Sequence, residues 1–244
     1  MILEAKNIYK KYKNKYVVKN VSIKLNQGEI VGLVGPNGAG KTTSFYIITG
    51  LIKPDNGKIF IGKDNITKSP LYIRSRKGIG YLSQDSSIFK KLTVEENILC
   101  ILEMHKKYYK KKIEITKKLI KEFNLQNIKN NKGDSISLGE RRRTEIARCL
   151  AINPKFILLD EPFYGIDPIT IYDFQKILFS LKKKNIGILI TDHNIQEVFT
   201  VTDRIYLMHN GEILKHGNSE KVIKSQLTKK IYLGNYSIIK KKIN

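Results

Sequence analysis

The chain has 244 residues, 41% of them hydrophobic, and a formal net charge of +23. Its length is enough for one large core or for a core with a smaller inserted lobe. No apolar run approaches the roughly 18 residues of a membrane span, the first ten residues hold no apolar signal-peptide core, and the two cysteines lack metal-ligand spacing. We therefore expect neither a membrane-spanning nor a secreted protein, but a chain that stays in the reducing cytoplasm.

The positive charge admits two explanations. A strongly basic chain can bind nucleic acid or an anionic membrane surface. The lysine clusters, however, lie near predicted helix ends or in the tail, and they are not interleaved with aromatic residues that could stack on bases; they are residues 106–107, 110–112, 182–184 and 240–242. Lysines spread over solvated faces, in a chain also rich in isoleucine and asparagine, explain the same charge, and we favour this explanation.

The first 34 residues predict an antiparallel β platform. Short candidate strands at residues 2–5, 16–19, 21–25 and 30–34 are separated by polar and glycine-containing turns. Tyr12 precedes one of these turns. Its ring could stack on a nucleotide base, a contact of about 1–3 kcal/mol, although a single tyrosine is more often an ordinary surface or core residue.

The next stretch matches the phosphate-binding pattern G-x-x-x-x-G-K-[ST], and it comprises Gly35, Pro36, Asn37, Gly38, Ala39, Gly40, Lys41, Thr42 and Thr43. An apolar strand precedes it, and a helix over 42–49 follows, which Gly50 ends in a left-handed conformation. Backbone amides and the helix N-terminus would hold phosphate oxygens. Lys41 would reach the β- and γ-phosphates, and the Thr42 hydroxyl would ligate Mg²⁺. The chain is therefore predicted to bind a nucleoside triphosphate.

Two strands and a predominantly helical region follow the phosphate loop. Residues 58–61 and 79–83 read as strands, and Gln84 at the end of the second could ligate a metal or position water. Thr93 and Glu96 form a possible capping box at the start of a first helix, whose apolar residues are Val94, Ile98, Ile101 and Leu102. A second helix is predicted by an apolar stripe stepping by four and three residues: Tyr109, Ile113, Thr116, Ile120 and Phe123. We read these helices as an inserted lobe.

Ser137 and Glu140 again fit a capping box, opening a helix over 141–151. As a structural feature this is simply a well-made helix start. A helix N-terminus with a serine hydroxyl and the Gly139 amide is also a ready anion site. The two interpretations are compatible.

Residues 155–161 consist of a buried apolar strand that ends in two carboxylates. The carboxyl ends of parallel strands are where open α/β sheets bind ligands. Asp160 could hold Mg²⁺, and Glu161 could orient the attacking water or act as its base. Asp167 and Pro168 then predict an N-capped helix.

A further buried strand at 188–191 ends at His193, which would share a sheet edge with Gln84, Asp160 and Glu161 and could contact the γ-phosphate. A single histidine is more often structural. Residues 209–211 predict a hairpin turn. The final stretch is expected to be helical to about residue 231 and then a poorly ordered basic tail.

These motifs, in this order, resemble the ATP-binding subunits of ABC transporters over nearly the whole chain. The resemblance implies an α/β fold: an ABC-type P-loop ATPase with a RecA-like core, an N-terminal antiparallel β subdomain and an inserted α-helical subdomain. Residues 35–43 resemble the Walker A loop, Gln84 the Q-loop, Asp160 and Glu161 the Walker B acid and catalytic glutamate, Asp167 the D-loop aspartate, and His193 the switch histidine. Tyr12 falls where the family has its adenine-stacking aromatic residue.

Residues 136–140, Ile-Ser-Leu-Gly-Glu, fall where this family has its L-S-G-G-Q signature. Leu138 replaces a glycine, and leucine tolerates a positive φ poorly. Ser137, Gly139 and Glu140 would still contact nucleotide, and turnover is expected to be slower at most. The resemblance implies a head-to-tail homodimer in which each signature completes the ATP site of the other chain.

A narrower resemblance is to the ATPases of lipopolysaccharide export; it covers residues 78–84, 87–91, 139–143, 156–163, 190–194 and 232–234. It implies two transmembrane permease subunits docking near Phe89, Lys90 and Lys91, and a peripheral position on the cytoplasmic face of the inner membrane. ATPases of branched-chain amino-acid importers, soluble nucleic-acid-associated ABC ATPases and a non-catalytic nucleotide sensor are the alternatives. We expect a nucleotide-binding core at 1–86 and 147–225, a helical subdomain at 87–146 and a tail at 226–244.

Overall fold

The computed structural model describes residues 1–193 and 195–233. A four-stranded antiparallel sheet has the order β2-β1-β4-β5, with β1 (Ile2–Tyr12), β2 (Lys15–Asn26), β4 (Asn56–Ile61) and β5 (Asp64–Asn65). The strands predicted at residues 2–25 are thus two long ones. The strand predicted at 30–34 is not part of this antiparallel sheet, because it pairs in parallel with strands of the second sheet. The two long strands stay continuous through register shifts near Asn7 and Asn20, which take positive φ values of 48° and 51°, as asparagine tolerates.

A six-stranded sheet forms the centre of the molecule, in the order β10-β9-β3-β8-β7-β6. Its strands are β3 (Ile30–Val34), β6 (Ile79–Leu82), β7 (Phe156–Asp160), β8 (Gly187–Asp192), β9 (Arg204–His209) and β10 (Glu212–Asn218). All are parallel except β10, which pairs antiparallel with β9 across the predicted hairpin turn. The parallel strands end at one edge of the sheet.

Apolar residues alternate between two cores on opposite faces of this sheet. In β7, Ile157 and Leu159 pack into one core, and Phe156 and Leu158 pack into the other. The alternation follows from the two-residue period of a strand. Every residue of β7 is buried, as the unbroken apolar run predicts.

Several helices begin at residues whose side chains cap them: Thr93, Ser137, Asp167 and Asn218. The helices are α1 (Lys41–Thr49), α2 (Leu71–Arg76), α3 (Val94–Glu103), α4 (Lys112–Glu122), α5 (Leu138–Leu150), α6 (Pro168–Lys183), α7 (Ile195–Val201), α8 (Ser219–Ile223) and α9 (Gln226–Leu233), with 3₁₀ turns at Lys106–Lys111 and Gln126–Ile128. Both predicted capping boxes form. Gly50 ends α1 at φ 89°, also as predicted.

The second predicted apolar stripe is wrong in its first half. Thr116, Ile120 and Phe123 are buried, but Tyr109 and Ile113 are 58% and 50% exposed. Residues 106–111 form a 3₁₀ helix rather than the first turns of an α-helix, so the predicted α-helical phase does not extend back to Tyr109. The short helix α2 was not predicted. The predicted basic tail, residues 234–244, lies outside the described residues.

Candidate functional site

The phosphate loop lies at the carboxyl end of β3 and runs directly into α1. Gly40 is the N-cap of α1 with φ 100°, a conformation that other residues adopt only with strain. A Cβ on Gly40 would lie 2.4 Å from the carbonyl oxygen of Val17, and one on Gly35 would lie 2.1 Å from that of Met208. These glycines therefore allow the loop to pack between β2 and β9.

Lys41 is buried at the base of this loop. Its ammonium donates hydrogen bonds to the carbonyl oxygens of Gly35, at 2.8 Å, and Pro36, at 3.1 Å. Burial lowers the pKa of Lys41, while the nearby carboxylates of Glu161, Asp192 and Asp160 oppose that shift. The Lys41 ammonium is thus held inside the loop by two backbone carbonyl oxygens and lies close to three carboxylates.

The phosphate loop and Glu161 line one cleft of about 160 Å³, together with Val17. The lining residues from the loop are Asn37, Gly38, Ala39, Gly40, Lys41, Thr42 and Thr43. Glu161 follows β7 with a φ of 44°, a left-handed conformation that is uncommon for glutamate. Backbone strain of this kind is concentrated at functional sites.

Asp160 is buried at the end of β7 and is oriented by a hydroxyl group. The Thr191 hydroxyl donates to its Oδ1 at 2.6 Å. Burial raises the pKa of Asp160. A carboxylate held in this way has the character of a metal ligand supported by its outer shell.

Thr191 of β8 anchors both acidic residues, a role that the sequence did not predict. Besides its bond to Asp160, its carbonyl accepts a hydrogen bond of 2.8 Å from the Glu161 amide. His193 follows the same strand, and its Nδ1 lies 3.3 Å from Oε2 of Glu161. The sequence does show that Thr191 is a hydroxyl-bearing residue just before Asp192 and His193. Its bonds to Asp160 and Glu161, however, depend on β7 and β8 being neighbours in the folded sheet.

Gln84 follows β6, which is three strands from β3 in the sheet order. At about 4.8 Å per strand, Gln84 is roughly 14 Å across the sheet from the strand that leads into the phosphate loop. Its side chain is exposed, and its carbonyl accepts a 2.5 Å hydrogen bond from Arg142. Arg142 and Glu145, a buried ion pair on α5, hold the segment after β6, because Glu145 also accepts from the Ser86 hydroxyl and the Ser87 amide. This contact was not predicted from the sequence, although charged residues on the buried face of α5 could have indicated it.

Tyr12 is 45% exposed at the end of β1, where it pairs with Lys15 across the hairpin. Val17 is two residues further along β2, so Tyr12 lies about 7 Å along the strand from the cleft. The structure places it near the phosphate loop but outside the cleft lining.

The signature residues form a second group. Ser137 N-caps α5 and exchanges hydrogen bonds with Glu140. A Cβ on Gly139 would lie 2.7 Å from Cγ2 of Thr170, whose hydroxyl donates to Asp167 at 2.6 Å. Gly139 thus brings α5 against the start of α6. The cleft residues named above do not include Ser137, Gly139, Glu140 or Asp167.

Leu138 does not strain the signature. It is the first residue of α5, it is absent from the residues with positive φ in the described part of the chain, and its side chain is 40% exposed. The expected conflict between leucine and a left-handed backbone therefore does not arise.

In the part of the chain that the structure describes, no helix is both long and apolar enough to cross a bilayer. The family model described as ABC transporter matches residues 18–164. Among relatives, the lipopolysaccharide export system ATP-binding protein LptB of Haemophilus influenzae is 49% identical and covers 96% of this chain and 97% of its own length. LptB of Escherichia coli K12 is 46% identical and covers 95% and 97%.

Solved structures of ABC transporter cassettes also resemble this chain. MJ1267, an ATP-binding cassette of an ABC transporter solved in its ADP conformation, has a TM-score of 0.86 at 31% identity and covers 96% of this chain and 98% of that one. The dimeric cassette MJ0796 has a TM-score of 0.78 at 27% identity, covering 89% and 98%. The fold is that of an ABC ATPase cassette, and the chain belongs to the ABC transporter family as one of its ATP-binding, ATP-hydrolysing subunits.

Proposed function

We propose that this chain is the ATPase subunit of a lipopolysaccharide exporter and that it works as a homodimer. The observation that carries the dimer is the division of the site on one chain. The phosphate loop and Glu161 share a cleft, whereas Gly139 and Asp167 both contact Thr170, and Ser137 caps the helix that carries Gly139. In a head-to-tail dimer, the signature residues and Asp167 of one chain would face the phosphate loop and Glu161 of the other.

The residues present fit Mg-ATP. The glycine cradle, the buried Lys41 ammonium and the start of α1 suit the phosphates; Gly35, Pro36 and the other loop residues shape that cradle. Thr42 and the oriented Asp160 suit Mg²⁺, a cation that takes oxygen ligands and neutralises phosphate charge when bound. Gln84 would join them after a movement of its segment toward the cleft.

Hydrolysis would then rest on positioning and charge. Lys41 stabilises negative charge on the β- and γ-phosphates. Glu161 orients the attacking water or accepts its proton, and His193 contacts both Glu161 and the γ-phosphate. Tyr12 stacks on the adenine. Ser137, Gly139 and Glu140 of the second chain, with Asp167, close the opposite side of the nucleotide.

We assign the transmembrane contact to the exposed surface at Phe89, Lys90 and Lys91. Phe89 is 48% exposed, and the Arg148 guanidinium lies 5.1 Å from its ring centroid. Asn97 fixes this segment, because it accepts from the Phe89 amide at 2.8 Å and donates to its carbonyl at 3.0 Å. Two permease subunits docking here would hold the dimer on the cytoplasmic face of the inner membrane. The corresponding units are a core at 1–86 and 147–225, a helical subdomain at 87–146 and a tail at 226–244.

The cargo is tested by co-expression with candidate transmembrane subunits, purification in detergent and identification of bound lipid or solute. We expect lipopolysaccharide to co-purify and ATP to drive its release to an acceptor. Retention of branched-chain amino acids would indicate an importer instead. Failure to co-purify with any membrane subunit, together with tight and steeply salt-dependent binding to duplex DNA, would favour a nucleic-acid-associated ATPase.

A further inference from the structure

Three large apolar side chains are exposed where the helical segment turns from α3 into α4. Met104 is 82% exposed, Tyr109 58% and Ile113 50%. A single exposed apolar residue needs no explanation, but a group on one surface marks a contact with something else. Met104 is the C-cap of α3, two residues before the 3₁₀ turn; Tyr109 lies in that turn, and Ile113 is the second residue of α4.

Lys112 connects the elements that carry these side chains. Its ammonium lies 2.6 Å from Oε1 of Glu103 at the end of α3 and 4.4 Å from the centroid of the Tyr109 ring. The end of α3, the 3₁₀ turn and the start of α4 are therefore tied at one point. The exposed apolar side chains belong to one ordered surface.

Basic residues surround these side chains. Lys110, Lys117 and Lys121 are exposed. Lys117 and Lys121 follow Ile113 by four and eight residues along α4, and Lys110 is next to Tyr109 in the 3₁₀ turn. Residues 104–121 contain eight lysines, and Glu114 is their single acidic residue. We name the set of Met104, Tyr109, Lys110, Ile113, Lys117 and Lys121 the tip patch.

We propose that the tip patch binds the surface of an anionic lipid bilayer. Interfacial membrane contacts combine apolar side chains, which enter the headgroup region, with surrounding lysines, which reach lipid phosphates. Long lysine side chains keep their charge at the headgroups while their methylenes cover the apolar centre. Nucleic acid would use the lysines but would leave Met104 and Ile113 without a suitable partner.

The location of the patch agrees with this partner. Helix α3 starts three residues after Lys91 and has ten residues, which corresponds to a length of about 15 Å. The tip patch is therefore within one short helix of the proposed docking surface for transmembrane subunits. Lipid binding by the isolated subunit does not depend on which cargo is exported.

The test is sedimentation of the full purified chain with phosphatidylcholine vesicles, with and without 30 mol% phosphatidylglycerol, at about physiological ionic strength. We expect binding to the anionic vesicles only. The triple variant Lys110→Gln, Lys117→Gln, Lys121→Gln should bind about tenfold to a hundredfold more weakly. The matched control, Lys58→Gln, Lys63→Gln, Lys68→Gln, removes the same charge from exposed positions of the antiparallel sheet lobe and should bind like the unmodified chain.

A second triple variant, Met104→Ser, Tyr109→Ser, Ile113→Ser, separates membrane insertion from simple charge attraction. We expect it to lose vesicle binding while retaining its circular dichroism spectrum and basal ATPase activity. Vesicle binding equal to that of the unmodified chain, or equal losses in the lysine variant and its control, would overturn the proposal in favour of diffuse attraction to polyanions. Failure of the tip-patch variants to co-purify with transmembrane subunits in detergent, where no bilayer is present, would identify a protein contact and also overturn it.

Discussion

Nδ1 of His193 lies 3.3 Å from Oε2 of Glu161, at the carboxyl ends of the neighbouring strands β8 and β7. Glu161 also lines the cleft that contains Lys41. A cation, a carboxylate and an imidazole are therefore at one edge of the sheet. This relationship is what ATP hydrolysis by positioning and electrostatics needs.

Replacement of Lys41 by alanine should weaken ATP binding and abolish turnover. A hydrogen bond to a charged group contributes roughly 1.5–3 kcal/mol, which corresponds to a loss of about tenfold to a hundredfold in affinity. Isothermal titration with ATP and a phosphate-release assay measure the two effects. Near-normal ATPase activity in Lys41→Ala would contradict the assignment of the phosphate loop.

Asp160→Asn should stabilise the folded chain in the absence of nucleotide and abolish hydrolysis. Burial raises the pKa of Asp160 above its usual value of 3.8, so the folded state binds a proton more tightly than the unfolded state does. Stability is therefore lost as the pH rises through the folded pKa. The melting temperature of the variant should exceed that of the unmodified chain, by a margin that is absent well below pH 3.8 and grows as the pH rises above it. A margin that shrinks with rising pH would contradict this account.

Gly139→Ala should separate α5 from α6 and reduce ATPase activity. The added Cβ would lie 2.7 Å from Cγ2 of Thr170, and overpacking of this kind costs about 1–3 kcal/mol. Thr170→Ser removes that methyl group and keeps the hydroxyl that bonds Asp167, so adding it should restore activity. Leu138→Gly, at an unstrained helical position, should change turnover little. An unrescued double variant would argue against the steric explanation.

Glu145→Ala should unfold at lower urea concentration than the unmodified chain. The change leaves the Arg142 charge buried without its ion-pair partner, which typically costs about 3–5 kcal/mol. It also removes the acceptor for Ser86 and Ser87, so the segment holding Gln84 should exchange its amide hydrogens faster. Glu114→Ala, an exposed acid of the same helical region, is the control and should change stability by less than about 0.5 kcal/mol. Equal effects of the two changes would show that the buried pair does not hold the segment.

Local chemistry made much of this fold predictable. The phosphate loop, the acid-terminated strand β7, both capping boxes and the hairpin at Asn210 depend on residues close together in sequence. Contacts between distant segments were not predictable in the same way. The bonds of Thr191 to Asp160 and Glu161, and of Arg142 to Gln84, require knowledge of which strand and helix become neighbours.

The exposed Tyr109 and Ile113 show a second limit of sequence analysis. Their spacing fits an amphipathic helix, but six residues of 3₁₀ helix before α4 change the angle between successive residues. The pattern therefore predicts a buried stripe that the backbone does not continue. The residues that fail this expectation are the ones that define the tip patch.

The central claim is that two copies of this chain enclose ATP between the phosphate loop of one and the signature of the other. Glu161→Gln tests it most directly, because the change should block hydrolysis while leaving ATP binding intact. Size-exclusion chromatography with light scattering should show a dimer when ATP is present and a monomer when it is absent. A variant that binds ATP and remains monomeric at every concentration measured would contradict the claim.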